Sequence, residues 1–374
     1  MTTQEILSRL VAFPSVVGQP NAAIVGWIRD FAQGCGASVT VAAGPEGDRA
    51  NLFATVGPRD VPGIILSGHM DVVPASEPGW TSQPFVLRAD AGRLYGRGTS
   101  DMKGFLACAL AALPALAALP LARPIHLAFS YDEEAGCRGV PHMIAALPLL
   151  CAKPLGCIVG EPSGMRAILA HKGKAAGRIE IRGRSGHSSR PDQGLNAIHA
   201  MASVLAEAVR HADNLAQGPF DASFEPPYSS LQVGVIHGGQ ALNIIPDLCI
   251  ADVEARAIAG VSPSDLLAPI QAAVSALGNK DFGASWELLS EYPALSLPAD
   301  APLADLLRLL TRVEPLAAVS YGTEAGLYQA AGVEAIICGP GDISRAHRAN
   351  EYIELDELDA CNRMIEDLGM RFCA

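Results

Sequence analysis

Residues 64–74, Ile-Ile-Leu-Ser-Gly-His-Met-Asp-Val-Val-Pro, constrain the chain more than any other stretch. A short apolar run bounded by Gly and Pro reads as a buried strand, and His69 and Asp71 stand at its end. Residues two apart in extended backbone point the same way, so both side chains can face one pocket. A histidine beside a carboxylate suits a metal ligand with its orienting partner, and equally a core histidine bonded to a nearby acid. Other stretches must decide between these.

At 374 residues the chain is long enough for two or three domains. An apolar content of 49% with 18% charged residues implies a globular protein with a large core. The formal net charge of −12 repels polyanions, which excludes nucleic acid as an expected partner. Nine cysteines, at 35, 108, 137, 151, 157, 249, 338, 361 and 373, contain no C-x-x-C pair. Such an odd, unpatterned set implies reduced thiols in a cytoplasmic protein. Glu5 sits where a signal peptide needs positive charge. The uncharged stretch 105–122 is nominally long enough to span a membrane, but Pro114, Pro120 and many alanines favour a buried helix, so no membrane partner is expected.

Helical spacing appears at 3–13 and 21–34, strand-like runs at 38–42, 51–56, 63–68 and 84–90, and a buried helix at 102–118. Strand 125–130, helix 138–149 and strand 156–160 follow, an alternation that implies an α/β layered domain with a mostly parallel sheet. From 174 the pattern changes to strand 175–183, helix 193–212, strands 229–237 and 248–257, helix 262–277 and strand 284–291. This βαββαβ order is that of a ferredoxin-like module, inserted as a lid or dimerisation domain. Helix 301–312, strand 316–319, helix 323–331, strand 333–338 and a final helix 354–372 restore the first pattern. The expected domains are therefore 1–173 and 293–374 for the catalytic part and 174–292 for the insertion.

Polar clusters close or follow the apolar runs where α/β sheets place their sites: His69, Asp101, Glu133 with Glu134, Glu161 and His347. Two imidazoles and several carboxylates without cysteine suit Zn²⁺, Co²⁺ or Mn²⁺. Three ligating carboxylates and a shared hydroxide match two divalent cations better than one. Adjacent Glu133 and Glu134 can diverge, one to metal and one to act as base on a water. Individually, Asp-Glu-Glu reads as a solvated turn and Gly-Glu-Pro-Ser as a loop or helix start. The Gly-rich loop before Asp101 lacks both GxGxxG and a Walker Lys-Ser/Thr, which argues against a phosphate cradle.

The motifs SGHMDVVP, GRGTSDMKG, YDEEAG, GEPS, AHKGK, SGHSS, NIIP, YGTEAG and GPG with AHRANEY together resemble the dinuclear-zinc amidohydrolase and exopeptidase family. Acetylornithine deacetylase, succinyl-diaminopimelate desuccinylase and glutamate carboxypeptidase are among its members. The resemblance implies His69 and Glu161 on one metal, Glu134 and His347 on the other, and Asp101 bridging. It further implies Glu133 as general base, Asp71 as the partner orienting His69, and a cis peptide at Asp101–Met102. By the same likeness, His187 polarises the substrate carbonyl, from its own or the partner subunit of a homodimer. Residues 321–328 resemble the deacetylase branch, with Leu327 where desuccinylases carry an arginine. Asn243, Arg256, Thr323 and Glu324 become the substrate-pocket candidates, Arg256 for an α-carboxylate and Glu324 for a side-chain ammonium. A helix-N-terminal role for Glu324 and a surface role for Arg256 are the plainer alternatives.

The expected activity is removal of the acetyl group from N-acetyl-L-ornithine or a related Nα-acetyl amino acid, in arginine biosynthesis. Deacylation of another N-acyl amino acid, desuccinylation and dipeptide cleavage are the nearest alternatives. A metal-binding scaffold without turnover would have no need of Glu133.

Overall fold

The computed structural model describes residues 1–278 and 281–373. Two compact units emerge, one of Met1–Ala170, Leu295–Ala317 and Thr323–Ala374, the other of His171–Ala294 and Ala318–Gly322.

The first unit is built on a six-stranded sheet in the spatial order Ser38–Ala43, Ala50–Val56, Ile125–Ser130, Ile64–His69, Gly156–Pro162, Ala335–Gly339. The last four run parallel and the first two pair antiparallel at one edge. Every residue of Ile64–His69, Ile125–Ser130 and Gly156–Pro162 is buried, as expected of strands covered on both faces. Against them packs the helix Gly104–Ala118, flanked by Thr3–Val11 and Leu355–Leu368. The apolar segment Thr99–Ala118 is long enough to span a membrane, but 72% of its most apolar window is buried inside the protein. Close approach of this helix requires glycine at 160, where a Cβ would lie 2.0 Å from the Phe105 ring.

Local chemistry explains the element ends. Thr2 and Glu5 form a reciprocal capping box on Thr3–Val11, and Asn196 accepts from the amides of Ile198 and His199 to start Ala197–Leu215. At the other end of Thr3–Val11, the buried Lys103 ammonium donates to the carbonyls of Leu10 and Phe13. Burial pushes its pKa down to about 7.

The second unit has the strand–helix–strand–strand–helix–strand order Gly173–Arg182, Ala197–Leu215, Ser230–Gly238, Leu248–Ala257, Ala268–Leu277, Gly283–Tyr292. Its four strands form an antiparallel sheet whose spatial order, 2-3-1-4 in their own sequence, is that of a ferredoxin-like module. A separate core fills it, with Ile179, Met201, Val253 and Ile270 among its buried members.

Several expectations need correction. The strand expected at 84–90 is only Arg88–Asp90, because the backbone amides of Val86 and Arg97 donate hydrogen bonds to the carbonyls of Gln83 and Pro84 and turn the chain there. The core helix begins at Gly104 rather than 102, since Asp101 and Met102 have non-helical backbone angles. No strand ladder forms at 316–319; Leu316 and Val319 make isolated bridges to Ile168 and His171. Residues 318–322 belong with the second unit instead of the first. Ser320 donates to the Glu225 carbonyl, and Gly322 lies so close to Tyr292 that a Cβ there would sit 2.4 Å from the ring. The final helix ends at Leu368, followed by a looser turn over Gly369–Cys373. All nine cysteines are free.

Candidate metal centre

Three neighbouring parallel strands deliver their C-terminal ends side by side, with His69 opposite Ser130 in register. His69 closes the first strand, Glu133 and Glu134 follow the second, and Glu161 lies near the end of the third. The loop before the core helix adds Asp101, and the loop after Ala335–Gly339 adds His347. Parallel topology therefore gathers residues that are far apart in sequence into the crevice beyond the strand ends.

Asp101 stands between the two imidazoles. Its Oδ1 is 3.0 Å from His69 Nε2, and its Oδ2 is 3.4 Å from His347 Nε2. His69 Nε2 also lies 3.8 Å from Glu161 Oε1, and His347 Nε2 lies 3.0 Å from Glu134 Oε1. Donor atoms of His69, Glu133 and Glu161 fall within 4.8 Å of one another, as do those of His69, Asp101 and Glu134. Ligands about 2.0–2.1 Å from a tetrahedral ion are spaced roughly 3.3 Å apart, so the 3.0–3.8 Å separations that link His69, Asp101 and Glu161, and His347, Asp101 and Glu134, fit donors that share a cation. A carboxylate that offers one oxygen to each imidazole fits a bridging ligand. The donor set, nitrogen and oxygen with no sulfur, fits borderline divalent ions. The Asp101–Met102 peptide is cis.

The acids differ in environment. Burial pushes the Glu133 carboxyl up to about 8, with the charges of Glu134, Asp101 and Asp71 adding to it and His69 opposing. Glu161 is likewise raised, by burial and by Asp101. Asp101 goes the other way: against the push of burial, hydrogen bonds from His347 and His69 hold it low. These bonds to Asp101 and Glu134 lift His347 to about 10. A carboxyl held near neutrality beside one held ionised is the pattern of divided acid–base roles.

Asp71 departs from its expected contact. His69 Nδ1 lies 2.9 Å from the main-chain carbonyl of Asp71 and 3.7 Å from its Oδ1. The carboxylate accepts instead from the amides of Glu133 and Glu134, each at 3.2 Å. Orientation of His69 thus comes from the backbone, while the side chain fixes the loop that bears the two glutamates.

Two pocket candidates also take other places. Glu324 is 1% exposed, its Oε1 accepting from Ser67 at 2.5 Å and its Oε2 from Ser130 at 2.8 Å. Both oxygens are occupied within the sheet, so the expected contact with a substrate ammonium is replaced by an internal one. Thr323 is buried and its hydroxyl accepts from the Ala325 amide at the start of the short helix Ala325–Ala330. In the second unit, Arg256 Nε donates to Glu254 at 2.6 Å and Nη1 to the Tyr292 hydroxyl at 3.3 Å.

His187 and Asn243 lie on adjacent exposed segments of that unit, joined by the Ser188 amide donating to the Asn243 carbonyl at 3.0 Å. His187 Nδ1 accepts from the Ser189 amide at 3.2 Å. The Ser189 hydroxyl, 2.7 Å from the same nitrogen, can donate or accept, and the amide contact matches the tautomer with hydrogen on Nε2. That tautomer is the one able to donate to a developing oxyanion.

The sequence reading missed Glu351 and Arg97, which hold the Asp101 loop, although both fall inside or beside motifs it quoted. Cys137, counted above only among the reduced thiols, has its sulfur 3.4 Å from Glu133 Oε1.

The model for Peptidase family M20/M25/M40 matches residues 65–371. The chain belongs to this family. It is 32% identical to the acetylornithine deacetylase of Photorhabdus laumondii, across 99% of this chain and 97% of that one. Among solved structures, the M20 family metallo-carboxypeptidase Sso-CP2 of Sulfolobus solfataricus superposes with a TM-score of 0.82 at 16% identity, covering 98% of both chains. The Bacillus subtilis YXEP protein, a dinuclear metal binding peptidase from the M20 family, superposes at 0.67 with 14% identity, covering 98% of this chain and 96% of that one. The chain is accordingly an M20 hydrolase whose catalytic unit carries the α/β fold expected.

Proposed function

We propose that this M20 hydrolase removes the acetyl group from N-acetyl-L-ornithine or a related Nα-acetyl amino acid, as a step of arginine biosynthesis in the cytoplasm. The observation that carries the hydrolytic reading is Asp101, poised between His69 and His347 with one oxygen toward each. The substrate reading rests on whole-length similarity to a deacetylase.

His69 and Glu161 would hold one divalent cation, Glu134 and His347 the other, and Asp101 both, with Zn²⁺ favoured and Co²⁺ or Mn²⁺ compatible with the donors. A bound pair would supply Lewis acidity toward the amide carbonyl and would lower the pKa of a water beside it. Glu133 takes a proton from the attacking water as the new C–O bond forms. His187 donates from Nε2 to the oxygen that gains charge. Glu133 then returns its proton to the amine nitrogen as the C–N bond breaks, giving acetate and the free amino acid. Asn243 and Arg256 are proposed to contact the remainder of the substrate.

A panel of N-acetyl-ornithine, N-acetyl-methionine, N-succinyl-diaminopimelate and a dipeptide, assayed with and without chelator, tests this. Chelator-sensitive turnover with N-acetyl-ornithine highest in kcat/KM is expected; turnover indifferent to chelator, or a dipeptide preferred, would overturn it. Restoring the cation should also raise Tm, since a ligand at about 100 times its Kd adds about 2.7 kcal/mol of stability. We further propose a homodimer formed through the inserted unit, supported by the exposed Ile236, Leu242 and Leu288 on it. A monomer in sedimentation would refute that.

A further inference from the structure

Glu351 takes no part in the steps above, yet its side chain is 1% exposed and accepts four hydrogen bonds. Oε1 accepts from the amides of Ser100 at 2.9 Å and Asp101 at 3.1 Å. Oε2 accepts from the Gly98 amide and from Arg97 Nη1, both at 2.9 Å. A buried carboxylate is tolerated only when it is paired and its lone pairs are filled, and here both conditions are met. Its partner Arg97 is equally buried. Arg97 Nη2 donates to the Pro74 carbonyl at 3.1 Å and to the Glu77 carboxylate. Nη1 also reaches the Arg348 carbonyl at 3.4 Å, and the guanidinium lies over the Trp80 ring.

Three amides of the segment 98–101 thus converge on one carboxylate, and the last belongs to Asp101 itself. Glu351 stands four residues after His347 in a loop where both His347 and Asn350 have positive φ, at 59° and 58°. Such backbone needs outside support to persist. Asn350 supplies part of it, accepting from the Thr81 amide and donating to the Gly79 carbonyl. Glu351 supplies the tie to the other loop.

We propose that Glu351, clasped by Arg97, is a positioning residue that locks the Asp101 loop to the His347 loop and so presets the bridging carboxylate between the two imidazoles. Resting on the reading of Asp101 and His347 as cation ligands, it adds that the arrangement precedes the cations. Glu351→Gln tests it, because the amide nitrogen must face donors in either orientation. Cation binding to the metal-free protein should remain at two equivalents but weaken by about 10–100-fold, the usual effect of removing a group that orients a ligand. Arg97→Lys, which keeps the charge and loses the fork, should weaken it by less. A lower Tm for Glu351→Gln with unchanged cation Kd would mean a merely structural anchor and overturn the proposal. A wild-type protein that binds no cation pair would overturn the underlying reading as well, so the two failures are distinct. Hydrogen exchange of metal-free wild type gives a check that needs no variant. Slow exchange at Ser100 and Asp101 supports the preset loop, and exchange at the unprotected rate refutes it.

Discussion

The carboxylate of Asp71 grips the backbone amide of Glu133, at 3.2 Å, and leaves the imidazole of His69 to its own main-chain carbonyl. One residue therefore serves two ends of the site by two different groups. Replacing Asp71 by Asn keeps the carbonyl and the orientation of His69, but turns an NH₂ toward the amide of Glu133 or Glu134. An unsatisfied buried donor costs about 1–3 kcal/mol. Asp71→Asn should consequently lower kcat by about tenfold or more while cation affinity changes less. Steady-state kinetics alongside a binding isotherm checks this, and a larger loss in affinity than in kcat would contradict it.

Glu133 is the acid that burial lifts to about 8, with the charges of Glu134, Asp101 and Asp71 adding to the rise. Its replacement by Gln removes proton transfer while keeping shape. Metal content should stay at the wild-type value and kcat should fall by about 10²–10⁴-fold. Elemental analysis with turnover measurement decides; near-normal turnover would refute the base assignment.

Glu324 has both oxygens committed to Ser67 and Ser130. If its role is internal, Glu324→Gln should destabilise the protein by about 1–3 kcal/mol, since one serine hydroxyl must stop donating and rotate to accept from the new NH₂ group. The KM for N-acetyl-ornithine should not change. Urea unfolding and KM measured together test this, and a raised KM at unchanged stability would restore a substrate contact.

His126 is fully buried, with Nδ1 at 2.9 Å from the Thr55 hydroxyl. Burial, helped by Arg59, pushes its imidazole from the usual 6.5 down to about 4. A folded-state value below the unfolded one means that acid protonates the unfolded chain first. The stability tied to neutral His126 is thus whole above about pH 6.5 and is lost as pH falls toward 4, by up to about 3 kcal/mol. Substitution by Asn should flatten this part of the unfolding free energy against pH. An unchanged pH profile in the variant would contradict it.

The metal candidates were legible because each closes or follows an apolar run, and strand ends in a parallel sheet must meet at one edge. His69, Asp101, Glu133, Glu134, Glu161 and His347 stand out as candidates for that reason, and only the likeness to a known family set Glu133 apart from the other five as the base. The ferredoxin-like order was legible too, from a change in the rhythm of strands and helices. The likeness made Glu324 and Thr323 pocket candidates, and nothing in a one-dimensional pattern tells whether a polar side chain at a helix start faces outward or inward. Ser67 and Ser130, far apart in sequence, supply the answer by filling both oxygens of Glu324.

By itself, the order of residues determined most of the elements, their layering and which acids and histidines stand near strand ends, since these follow from local periodicity and from the alternation of strands and helices. Only the tertiary structure decided which oxygen of Asp71 serves which neighbour, that Glu351 and Arg97 fasten the Asp101 loop, and that residues 318–322 join the second unit. Those outcomes depend on hydrogen bonds between chain segments up to about 250 residues apart, whose donors and acceptors carry no periodic signature.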